Sequence, residues 1–273
     1  MKKTSYKIPY VLSYIIIILT VIATLSGIFG KGMYQDNLLV VSAWTGTDII
    51  TLLLGVPIFI YSLVLYRKKQ ILGLLLMFSM IFYSLYNYAF YLFSAALNSI
   101  FLIYVLIFAL SFYSILVLVR KIDVDSINRK FKEKIPVKVI GGFMIIVAII
   151  LGVFHISLSL SYVVTGQVPD IVTNVNHPTN PIAALDLSFV VPVALFGGYS
   201  LIKKNRWGYL ISVVWNVKGF VYMLALSSAA ITGYINGATD TLMELMLWGP
   251  IGFGCLIMSY LLIKNIKEDS KFY

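Results

Sequence analysis

The chain has 273 residues, 60% of them hydrophobic and 12% charged, with a net charge of +10. A water-soluble domain is typically about half apolar and about one quarter charged, so this composition excludes one. The basic excess does not point to nucleic acid, because it is broken into short clusters between long apolar runs.

A hydrocarbon core about 30 Å thick takes about 20 mostly apolar residues in helical form. Eight such runs follow one another, at 8–29, 47–66, 71–94, 98–119, 138–163, 184–202, 207–232 and 241–263. The first is longer than the roughly 7–15-residue core of a secretory signal and no clear small-x-small site follows it, so it is expected to stay as a membrane helix. The second ends in the basic turn Arg67, Lys68, Lys69, and the third carries the polar-aromatic stretch MIFYSLYNYAFYLF. After the fourth comes the longest hydrophilic stretch, DVDSINRKFKEKIPVK, whose mixed charge suits a solvated linker or a short surface helix. The fifth leads into an outer loop rich in Asn, Pro and Thr, and the sixth ends at Lys203 and Lys204. The seventh contains Lys218, the only charge between Arg206 and Asp240. The eighth holds Cys255, the single cysteine, so no intrachain disulfide can form. Barrel strands would alternate over about ten residues and not run continuously. The expected fold class is an all-α polytopic membrane protein with eight transmembrane helices.

Counting loops alternately from an inside N-terminus leaves 19 of the 21 Lys and Arg residues inside, with Lys31 and Lys218 as the exceptions. That asymmetry is the positive-inside signature, and it predicts a cell-membrane protein with both termini cytoplasmic. An offset of 135 residues superposes Pro57 on Pro192, Lys68 and Lys69 on Lys203 and Lys204, and Gly73 on Gly208. The long outer loops, 30–46 and 164–183, also correspond. These matches predict two parallel four-helix repeats, 1–122 and 138–273, joined by a cytoplasmic linker at 123–137.

The candidate site follows from the ionisable residues inside the apolar runs. A Lys or Asp near a bilayer centre costs about 2.5–3.5 kcal/mol to insert, so it normally faces the bundle and finds a partner. At about 1.5 Å per residue, Lys218 lies about 18 Å above the cytoplasmic face and Asp186 about 25 Å above it. The gap of roughly 7 Å is within reach of an extended lysine side chain. A Lys218–Asp186 ion pair beneath an outward-facing polar cavity is therefore expected, with Glu244 and Asp48 as alternative partners. His155 falls in the same outer half, and Tyr83, Asn87 and Tyr86 can add hydroxyl and amide groups from one helix face. This substrate-binding set, Lys218, Asp186, Glu244, Asp48, Asn87, Tyr83 and His155, includes no catalytic constellation and no metal cluster.

The implied function is a small-molecule or ion transporter or permease. The alternatives are a non-catalytic membrane sensor, an assembly or binding protein, and a membrane-embedded lipid-modifying enzyme. No cofactor is implied: two histidines are too few for haem or a multi-histidine metal, and no Gly-rich phosphate loop or nucleophile elbow occurs. The expected partners are the lipid bilayer and a small-molecule, ion or lipid ligand, with no nucleic acid and no indication of oligomeric state.

Overall fold

The computed structural model describes residues 6–267 and 270–272; Lys2 and Lys3, which entered the topology argument, lie outside the described residues. Eight helices are long and apolar enough to cross a membrane: α1 (Lys7–Phe29), α2 (Leu38–Arg67), α3 (Ile71–Phe93), α4 (Phe101–Lys121), α5 (Val137–Thr165), α6 (Pro181–Ile202), α7 (Gly208–Ile235) and α8 (Glu244–Ile263). Among the described residues there is no β-strand, only two isolated bridges. The chain is an all-helical, multi-pass membrane protein.

α2 begins at Leu38, earlier than the expected 47. The Asn37 side chain caps it by accepting from the Val40 amide at 3.0 Å. The polar residues that read as loop are spent on α7 instead. Thr232 Oγ1 donates to the Ser42 carbonyl at 2.7 Å, and Asn236 Nδ2 donates to Ser42 Oγ at 3.0 Å. A Cβ at Gly46 would come within 2.6 Å of the Ala229 amide nitrogen, so only glycine lets these two backbones meet so closely. α6 likewise starts at Pro181, under an Asn180 side chain that accepts from the Ala183 amide at 2.9 Å.

Both α2 and α6 are interrupted by a single π-helical turn, at Thr51–Gly55 and Asp186–Val190. The two turns lie 135 residues apart. Each is followed at once by a proline, Pro57 or Pro192. A helical proline lacks an N–H and crowds the carbonyl four residues back. Those carbonyls belong to Leu53 and Ser188, inside the widened turns. The extra residue per turn relieves the crowding, and such π-bulges recur at functional sites. The basic turns after these helices also share a geometry. Lys69 and Lys204 both take a left-handed conformation (φ 60° and 54°). The next amide then closes onto the helix, Gln70 onto the Leu65 carbonyl at 3.1 Å and Asn205 onto the Ser200 carbonyl at 2.7 Å.

α3 and α7 form the centre. Of their most apolar windows 89% and 67% is buried within the protein, against 28–44% for the other six helices. α3 packs between α2 and α4, α7 between α6 and α8, and α2 and α3 both lie against α7. The basic segments gather at one end. Phe272 stacks on Tyr66 at 4.8 Å and meets Tyr6 edge-on at 5.8 Å. The Phe272 amide donates to Lys69, and that of Lys267 to Lys130. The C-terminal tail thus straps the start of α1, the α2–α3 turn and the linker, which forms the short helix Val124–Asn128.

Candidate functional site

Lys218 is 4% exposed, halfway along α7. Its ammonium lies over the face of Tyr86 on α3, 3.3 Å from the ring centroid, and 4.5 Å from that of Tyr222, one turn further along α7. A desolvated cation–π contact contributes about 2 kcal/mol, so two rings together match the insertion cost of a lysine. The Tyr86 hydroxyl donates to Asp186 Oδ1. His155 Nε2 is 2.9 Å from Asp186 Oδ2. A phenol donating to a carboxylate holds excess electron density, which strengthens the pull of its ring face on an ammonium. Tyr86 therefore joins the two charges: carboxylate at its hydroxyl, ammonium on its face.

This corrects the expected direct ion pair. Among the described residues the contact within ion-pair distance is His155–Asp186, and Lys218 makes none with Asp186, Asp48 or Glu244. The ring of Tyr86 occupies the gap that the lysine was expected to bridge. Glu244 is exposed at the first turn of α8, away from the network. The cavity beside the network, about 180 Å³ between α3, α4 and α6, is lined by Phe82, Leu85, Tyr86, Phe93, Phe108 and Phe189 and is apolar throughout. Beside Lys218 the Tyr86 and Tyr222 rings themselves pack edge to face, 4.9 Å between centroids.

Asp48 builds a separate centre from the first four helices. It is 1% exposed and accepts hydrogen bonds from Tyr34 at 2.5 Å and Tyr91 at 2.9 Å. Burial and the Asp48 carboxylate push the Tyr34 phenol, in the α1–α2 loop, far above its ordinary pKa, so it remains a donor. Gly27 makes room: a Cβ there would lie 1.9 Å from Asp48 Oδ2. The Trp44 and Tyr91 rings pack at 4.5 Å, and Tyr88 and Tyr104 complete the aromatic wall. Tyr83 belongs to neither carboxylate and shares a 2.6 Å hydrogen bond with Thr51. Asn87 is buried with an unpartnered amide nitrogen.

The structure thus brings Lys218, Asp186 and His155 together, sets Asp48 in a separate centre, pairs Tyr83 with Thr51, and leaves Glu244 outside. Sequence reasoning missed Tyr222, Tyr34 and Tyr91. Tyr222 was findable, since i and i+4 share a helix face. Tyr34 was not, because nothing local in a loop tells which side chain turns inward. Comparison with known protein families, with curated proteins and with solved structures gives no match.

Proposed function

We propose that the chain is a proton-coupled carrier of the cell membrane for a small solute or ion. In this reading both termini are cytoplasmic, and two parallel four-helix repeats pair α3 with α7. The recurrence of π turn, proline and left-handed lysine at one spacing supports the repeat. The clustering of Tyr6, Tyr66 and Phe272 supports a common side for the termini.

The observation that carries the function is the Tyr86 bridge between Asp186 and Lys218, at the π turn of a broken helix. A buried pair of opposite charges is tolerable only while both charges persist. Loss of the negative charge on Asp186 weakens the bond from Tyr86 and leaves a buried cation with a weakened partner. The network must then rearrange, and the π turn beside Asp186 is where α6 can give. A second reading, binding of an apolar ligand, is favoured by the apolar cavity that reaches Tyr86.

The test uses the full chain in liposomes with an internal pH dye. Amino acids, sugars, nucleosides and inorganic ions are added one at a time. Wild type is expected to move protons with at least one of them, and Asp186→Asn and Lys218→Met to abolish that flux. Flux unchanged in Asp186→Asn, or no solute-driven flux in wild type, defeats the proposal.

A further inference from the structure

Asp48 raises a question that the Asp186 network does not answer. It sits deep in the fold, and among the described residues no Lys, Arg or His lies within ion-pair distance of it. Its two hydrogen bonds come from neutral phenols. Three further oxygens on the helices around it are buried and make no full hydrogen bond: Tyr88 OH, Tyr104 OH and Thr20 Oγ1. Their side chains are 1%, 1% and 3% exposed. The Tyr88 and Tyr104 rings pack on Tyr91, whose hydroxyl is on Asp48. Both phenols lie within electrostatic reach of the Asp48 carboxylate, and their polar neighbours, Thr20 for Tyr88 and Tyr34 and Asn98 for Tyr104, stand too far off or too poorly aligned for a full hydrogen bond.

Buried polar oxygens are nearly always satisfied, and several orphans around one carboxylate mark a missing partner. These oxygens are hard donors, with no thiol or imidazole among them, which suits an alkali or alkaline-earth ion. The charge count narrows the choice. Among the described residues no group of three His, Cys, Asp or Glu converges anywhere, and this centre has one carboxylate. Divalent calcium is usually held by several carboxylates, whereas one negative charge matches one positive charge.

We infer that the Asp48 centre binds a single monovalent inorganic cation, held by the carboxylate and by the hydroxyls of Tyr88, Tyr104 and Thr20. The cation supplies the charge that Lys218 supplies to Asp186. It also stitches α1, α2, α3 and α4 together, since these hydroxyls come from α1, α3 and α4 and the carboxylate from α2. The site is distinct from the proposed coupling network and stands whether or not that network moves protons.

The experiment measures the melting temperature of the full chain in detergent, titrated with NaCl, LiCl or KCl against choline chloride at equal ionic strength. Wild type is expected to show a saturable rise of a few degrees with one alkali ion. Asp48→Asn loses the rise. Tyr88→Phe and Tyr104→Phe keep the ring packing and shift half-saturation several-fold upward. Asp186→Asn retains the response, which separates this site from the coupling network. A wild type that melts alike in every salt overturns the inference, as it means that water or a proton fills the space. A response that survives in Tyr88→Phe and Tyr104→Phe at unchanged half-saturation overturns it equally, even where Asp48→Asn does not fold.

Discussion

The two halves of the molecule use one backbone device for different chemistry. Both broken helices widen at a π turn just before a proline. In the first half the turn opens at Thr51, which shares a neutral hydrogen bond with Tyr83. In the second half it opens at Asp186, linked through Tyr86 to Lys218. At the 135-residue offset, Thr51 stands opposite Asp186, Tyr83 opposite Lys218, and Thr20 opposite His155. Asp186, Lys218 and His155 thus each have a hydroxyl-bearing residue as their counterpart. The first half keeps its own carboxylate, Asp48, one turn before the π turn and, among the described residues, beyond ion-pair distance of any basic side chain. Buried charge does not require direct contact with its opposite. A phenol that donates to the anion and presents its face to the cation serves both.

The largest expected effect separates the halves most sharply. Removing one member of a buried charge pair costs about 3–5 kcal/mol, because the survivor is left uncompensated. Asp186→Asn and Lys218→Met should each approach that loss, and the double variant should lose less than their sum. Unfolding of the purified chain in detergent, analysed as a double-mutant cycle, measures the coupling. Strictly additive losses would mean that Tyr86 insulates the two charges from each other.

Next comes the space around Asp48. Gly27→Ala puts a methyl group where Asp48 Oδ2 and the Tyr34 hydroxyl already meet, and overpacking of this kind costs about 1–3 kcal/mol. Gly142→Ala, in α5, is the matched control. Nothing lies within 4 Å of its added Cβ, so the change should be neutral or slightly stabilising through helix propensity. Thermal unfolding of the two variants side by side decides it. Equal stabilities would mean that the Asp48 centre is loosely packed.

The fold was largely legible because bilayer thickness dictates the length of every apolar run, and all eight runs became helices. The start of α2 was not, because Ser42 and Thr45 read as loop residues until their partners are known. Ser42 bonds to α7, far away in sequence. The site was legible as a set of unusual residues, not as a set of contacts. Cost of burial singled out Lys218, Asp186 and Asp48, and depth along each helix placed them in the same outer half. Depth says nothing about what stands between two helices. The Tyr86 ring fills the gap that arithmetic left open for a salt bridge, and tyrosine-rich helices read equally well as packing faces. The C-terminal strap was invisible for the same reason: nothing in KFY announces that Phe272 will stack on Tyr66.

The smallest effect tests whether the first half's pair is the neutral counterpart of the charged one. Thr51→Val and Tyr83→Phe each remove a hydroxyl and keep the shape. Side-chain hydrogen bonds inside membrane bundles contribute about 0.6 kcal/mol on average. A double-mutant cycle on this pair should therefore return a coupling several-fold below that of Asp186 and Lys218. The comparison is informative because both pairs occupy the same register, beside the same π turn, on the same pair of helix types. The π turn is common to both, while charge and the intervening Tyr86 ring distinguish the second pair. A coupling between Thr51 and Tyr83 as large as the charged one would assign the stabilisation to the π turn itself and not to the ions. A small one leaves the charges as the cause, and with them the reason for a lysine in the middle of α7.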